Sequence, residues 1–171
     1  NSGVIETTGF NAVGITTTQA NALIANHGLI NTVDDASYGI FTSGDDANII
    51  NTGSVTLRGA SSTGIESLGS NVRILNSGII DTLSIGIFTN ANNAQINNIG
   101  KITTTDTNAH GIMVNGASSY LRNTGSIITT GLGADSIWMQ GINSTIDNSG
   151  SLSATGDFSY AIRGSNGKQT L

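Results

Sequence analysis

The sequence predicts an all-β fold, a single-stranded parallel β-helix or β-solenoid of about seven coils with three short strands each. Three observations predict it. The phrase Asn-x-Gly returns at Asn1, Asn26, Asn51, Asn76, Asn98, Asn123 and Asn148, at spacings of 25, 25, 25, 22, 25 and 25 residues. Three apolar columns follow each Asn in constant phase. The 171 residues include 23 Gly and no Pro, and proline cannot donate to a strand ladder.

The units run 1–25, 26–50, 51–75, 76–97, 98–122, 123–147 and 148–171, and together form one domain. In each unit a first strand follows Asn-x-Gly. Its fifth position reads Ile5, Ile30, Val55, Ile80, Ile102, Ile127 and Leu152. The sixth is polar in all but Ile128, and this alternation is the period of a strand with one buried face. The second strand is marked by Ile15, Ile40, Ile65, Ile87, Ile112, Ile137 and Ile162, preceded by Gly in the first five units and then by Ser136 and Ala161. The third is marked by Ile24, Ile49, Ile74, Ile96, Leu121, Ile146 and Leu171. Gly, Asn, Asp and Ser separate the strands, leaving no room for helices.

A coil whose strands pair in parallel with their equivalents in the next coil satisfies this pattern. Coils about 4.8 Å apart make a rod of roughly 33 Å, and strand twist favours right-handed winding. Identical residues then stack. The seven Asn are expected to form a ladder of side-chain amide bonds, as in cross-β structures. The Gly two residues later is expected to supply a backbone angle that a Cβ would obstruct. The three residues missing from unit 76–97 fall between its first two strands, so only a corner tightens.

Composition excludes several functions. With no Cys there is no disulfide framework or thiolate metal site. The net charge of −5 offers no nucleic-acid footprint. No apolar run approaches the roughly 20 residues that span a bilayer, so this segment inserts in no membrane by itself. The hydrophobic fraction of 37%, set in a fixed rhythm, argues against disorder.

The phrases "NSGVIETTGFNAVGI", "NHGLINTVDDASYGIFTSGDDANII" and "NTGSIITTGLGADSIWMQGINSTIDNSG" resemble repeats in the passenger regions of bacterial autotransporters and related large surface proteins. The resemblance covers the whole chain. It implies a right-handed parallel β-helix, exported through the outer membrane by a barrel not present here and displayed at the cell surface for adhesion or aggregation. The matching positions are structural, so it carries over no binding residue.

No constellation for catalysis emerges, and the chain is expected not to be an enzyme and to need no cofactor. Polysaccharide-active β-helices gather carboxylates on adjacent coils. Here Glu6 and Asp81 share a column three coils apart, as do Asp34 and Asp106. The densest acids, Asp34 and Asp35 at one corner and Asp45 and Asp46 at the next, are weak cation candidates and read as solvated turn residues. His27 reads as a surface corner residue, and His110 with Asp135 one coil later as a surface pair worth at most about 1 kcal/mol. Gly-x-Gly at 131–133 precedes no helix, so no phosphate loop forms.

One outward column reads Thr16, Phe41, Glu66, Phe88, Met113, Trp138 and Arg163. Phe88, Met113, Trp138 and Arg163 would stand in a row on adjacent coils, with Phe41 further along and Tyr38 and Tyr160 nearby. Arg163 over Trp138 would add about 0.5–1 kcal/mol if exposed. Such a row is a candidate contact for a glycan or protein. The sequence thus predicts a structural and adhesive rod, with a glycan- or protein-binding module as the alternative. Its partners would be host or matrix proteins and glycans, or copies of itself meeting end to end or laterally. Lacking divergent capping units, it reads as a segment of a longer protein.

Overall fold

The computed structural model describes residues 1–164 and the strand at 169–170; Leu171, expected in the third apolar column, lies outside the described residues. The first coil carries β1 (Val4–Thr7), β2 (Val13–Thr17) and β3 (Leu23–Asn26), and the second β4 (Leu29–Thr32), β5 (Tyr38–Thr42) and β6 (Asn48–Asn51). Next come β7 (Ser54–Leu57), β8 (Thr63–Ser67) and β9 (Arg73–Asn76), then β10 (Ile79–Thr82), β11 (Ile85–Thr89) and β12 (Gln95–Asn98). The fifth coil holds β13 (Lys101–Thr104), β14 (Ile112–Val114) and β15 (Tyr120–Asn123), and the sixth β16 (Ser126–Thr129), β17 (Ile137–Met139) and β18 (Ser144–Asn148). The last has β19 (Ser151–Ala154), β20 (Ile162–Gly164) and β21 (Gln169–Thr170).

Every third strand pairs with its equivalent, giving three seven-stranded sheets that begin with β1, β2 and β3. All pairings are parallel and in register with the repeat. Ile30 lies between Ile5 and Val55, and Ile96 between Ile74 and Leu121. The chain is a β-solenoid. The three apolar columns meet along its axis, where Ile30, Val55, Ile80, Ile102 and Ile127 of the first sheet and Ile40, Ile65, Ile87, Ile112 and Ile137 of the second are all fully buried. Each such side chain contributes about 1.5–3 kcal/mol. The short coil keeps this alignment, with Ile80 opposite Val55 and Ile102, because its deletion removes only the corner before β11.

The Asn column is a continuous line of amides. Asn1 Nδ2 donates to Asn26 Oδ1 at 2.8 Å, and Asn26 to Asn51 and Asn51 to Asn76 at 2.8 Å. Asn76 donates to Asn98, Asn98 to Asn123 and Asn123 to Asn148 at 2.7 Å. From Asn26 to Asn123 these side chains are wholly buried. Each interior amide accepts from the Asn of the preceding coil and donates to that of the following one, so none of the five is left orphaned.

The Gly of Asn-x-Gly has a different cause from the one expected. Among the described residues only Gly9 and Gly133 have glycine's left-handed angles, at φ 106° and 66°. The reason is proximity: a Cβ on Gly28, Gly53 or Gly78 would stand 2.0–2.1 Å from the carbonyl oxygen of the equivalent Gly in the preceding coil. Left-handed angles fall instead at the corners, on Asn11, Ala36, Ser61, Asn108 and Phe158 before the second strand and on Asn21, Asp46, Asn71, Asn93, Ser118 and Asn143 before the third. Asn tolerates this conformation best of the non-Gly residues. The short coil lacks the first of these two corner residues.

The second Gly column is steric as well. A Cβ on Gly14, Gly64, Gly86 or Gly111 would meet the Cγ2 of Ile30, Ile80, Ile102 or Ile127 at 2.2–2.5 Å, and one on Gly39 would meet Val55 Cγ1 at 2.3 Å. All five neighbours branch at Cβ. Where the column changes to Ser136, the corresponding core residue is Leu152, which has no branch at Cβ. The departure from Gly therefore coincides with removal of one of the two close contacts; the other, with the next coil's carbonyl oxygen, is 2.5–2.7 Å at the five Gly.

Candidate functional site

The second sheet carries the predicted row. Thr16 pairs with Phe41, Phe41 with Glu66, Glu66 with Phe88, Phe88 with Met113, Met113 with Trp138, and Trp138 with Arg163. From Phe41 to Arg163 these side chains are half-buried. Glu66, set between two Phe, has its carboxyl pushed above the ordinary carboxylate range by burial, against an opposing hydrogen bond from Thr63. Tyr38 packs on Phe41 with ring centroids 5.4 Å apart. Burial and the charge of Glu66 both raise its phenol.

The row ends in a built cluster. Arg163 lies 4.7 Å over the Trp138 ring and 5.7 Å from that of Tyr160. Its Nη1 donates to Asp135 Oδ2 at 3.2 Å, and Asp135 Oδ1 accepts the Tyr160 N–H at 2.8 Å. Trp138 meets the His110 ring edge-on at 4.7 Å. Asp135 thus anchors the cation that stacks on the aromatic surface.

This corrects the reading of His110 and Asp135 as a surface pair: His110 is 3% exposed and Asp135 0%. At these two coils the residue before the second strand's Gly column is covered, whereas Tyr160 in the same column is 55% exposed. His110 Nδ1 accepts the backbone N–H of Asp135 at 3.1 Å, so its proton resides on Nε2 and the ring is neutral. Asp135 Oδ2 stands 3.6 Å from the same nitrogen, too far and too poorly matched to a lone pair for an ion pair.

Burial lowers the His110 pKa below 6.5, the charge of Asp135 pulls it up, and Arg163 lowers it further. The unfolded chain then binds the extra proton first. The stability contributed by neutral His110 is complete above about pH 6.5 and is lost as pH falls from there through the folded-state value. Unfolding midpoints measured from pH 7.5 to 5 should fall for the native chain. They should fall less for His110→Gln, whose amide oxygen can accept the Asp135 N–H without titrating; equal slopes would refute this account.

The remaining candidates lie apart. Asp34 Oδ2 accepts the Gly9 N–H, Asp35 Oδ1 the Ala60 N–H at 2.7 Å, Asp45 Oδ1 the Ser70 N–H at 2.7 Å, and Asp46 Oδ1 the Asn71 amide at 3.1 Å. Each acid thus bonds an equivalent corner of a neighbouring coil. Among the described residues no group of three or more His, Cys, Asp or Glu could hold a metal ion. His27 is exposed and its Nδ1 lies 2.7 Å from Thr52 Oγ1.

The sequence reading passed over the outward face of the third sheet. Arg73, Gln95 and Tyr120 form one column there and Leu75, Asn97 and Arg122 another, lining an open concavity. Stacking the outward positions of the third strand would have brought these residues together. Comparison with protein-family models, with curated proteins and with solved structures gives no match.

Proposed function

We propose that this chain is a structural and adhesive rod, a segment of a bacterial surface-exposed or secreted autotransporter-type passenger that mediates adhesion or aggregation. One observation supports this most directly. In-register stacking holds each outward column at the strand spacing, about 4.8 Å, so one face presents Phe88, Met113, Trp138 and Arg163 as a fixed row. A rigid row loses little conformational entropy on contact. The stacked Arg163 and Trp138 favour a second reading, in which the row recognises a particular glycan or protein.

Display of the segment on non-aggregating bacteria tests the proposal. Aggregation, or retention on matrix proteins or glycans, should rise several-fold over an empty display scaffold. Trp138→Ala should remove at least about 2 kcal/mol of contact, as hot-spot aromatics do. Trp138→Phe, which keeps a ring beside His110, controls for folding. Sedimentation velocity of the free segment over a concentration series separates contact between copies from contact with a host surface. No gain in aggregation or retention on display would defeat the reading.

A further inference from the structure

The concavity on the third sheet has a volume of about 400 Å³, within the range of small-ligand clefts, roughly 300–1,000 Å³. Its floor is formed by the outward side chains of β9, β12 and β15. Arg73 makes no ion pair among the described residues. Arg122 is held only loosely, with Nε 3.5 Å from Asp147 Oδ2, and both partners are about half exposed. Tyr120 donates from its hydroxyl to the same oxygen at 3.1 Å. Asp147 is the only acid in the two outward columns of this sheet among the described residues. A chain of net charge −5 therefore concentrates two cations at one concave site.

The rest of the lining is suited to hydroxyl-rich rings. Gln95 and Asn97 supply planar amides; Asn97 Oδ1 is itself buried beneath the groove and has no hydrogen-bond partner among the described residues. Tyr120 and Leu75 add apolar surface. Arg73 and Arg122 stand two strands apart and two positions along, roughly 12 Å between Cα atoms. Nucleic acid, with a charge about every 1.7 Å of duplex, would call for a denser basic track. A uronic-acid saccharide carries its carboxylates one per ring or per pair of rings, a spacing that two separated guanidinium forks can meet.

We propose that this groove binds an acidic oligosaccharide, with Arg73 and Arg122 holding carboxylate or sulfate groups and Gln95 and Asn97 holding ring hydroxyls. It lies on a different sheet from the Trp138 row and does not depend on it. Asp147 acts as an internal competitor for Arg122.

Titration calorimetry of the whole segment, with a hyaluronan hexasaccharide, a heparin hexasaccharide and a neutral dextran oligomer, tests this. An acidic probe should bind at least about tenfold more tightly than dextran, and Arg73→Gln should weaken it at least about tenfold, the loss of one charge-assisted bond. Asp147→Asn should strengthen binding several-fold by freeing Arg122. The two acidic probes distinguish carboxylate from sulfate recognition. No binding of either, indifference to both substitutions, or equal affinity for a single-stranded oligonucleotide or anionic phosphatidylserine vesicles would overturn the proposal. Unchanged unfolding midpoints in the variants confirm that these exposed side chains are not needed for folding.

Discussion

Gly78→Ala is expected to lower the unfolding midpoint by about 10 °C, corresponding to a loss of at least about 3 kcal/mol. An added Cβ would lie 2.0 Å from Gly53 O, 2.7 Å from Thr52 C and 2.9 Å from Gly53 N, all of them backbone atoms. Carbon contacts are comfortable only from about 3.5 Å, so the coils would have to separate by more than an ångström. The bonds that hold them cannot stretch so far: Gly78 N–H to Asn51 O is 3.0 Å and Ile79 N–H to Gly53 O is 2.9 Å. Gly3→Ala is the matched control. It has the same place in its repeat, yet a Cβ there meets nothing within 4 Å, and it should be nearly silent. Equal midpoints for the two variants, read by circular dichroism, would refute steric stacking as the reason for the repeat's Gly.

Asn76→Leu should cost about 3–4 kcal/mol. It deletes the acceptor of Asn51 Nδ2 and the donor to Asn98 Oδ1, both buried, and an unsatisfied buried polar group costs about 1–3 kcal/mol. Asn51 Nδ2 retains only a 3.4 Å contact with Ile79 O. Asn76→Asp separates the amide requirement from volume. Ionised, its carboxylate can accept from Asn51 but sets oxygen against Asn98 Oδ1; protonated, it can donate there. The Asp form should therefore be weak at neutral pH and recover as pH falls toward the ordinary carboxylate range, about 4. The native chain has no such recovery in prospect at this position. Chemical denaturation of the variant beside the native chain at pH 7 and pH 4 would show it as a smaller deficit at pH 4, and an Asp variant with the same deficit at both would refute the ladder's role.

The fold was legible because a solenoid writes its geometry into its period. Ile30, Ile80 and Ile102 share a column in the sequence for the reason they share a line in space. The 22-residue unit could be read through, since its loss falls at a corner. Causes were less legible than positions. Gly at 28, 53 and 78 looks the same in sequence whether it serves an angle or a close approach, and only the backbone distances distinguish them. His110 and Asp135 were misread for a related reason. Their column also holds Tyr38, Thr63, Ile85 and Tyr160, a mixture with no polarity to reveal that it is covered at His110 and Asp135 and open at Tyr160. The groove of Arg73, Tyr120 and Arg122 was accessible by stacking, but its concavity depends on side-chain heights that periodicity does not encode.

The direction of the Asn line has an electrical consequence. Each amide points its N–H toward the later coil and its C=O toward the earlier one, without reversal from Asn1 to Asn148. An amide carries a dipole of about 3.5 D, and dipoles in file add. This side-chain line makes a positive pole toward the last coils and a negative pole toward the first, opposite in sense to an α-helix. It acts as a buried electret that distinguishes one direction along the axis from the other.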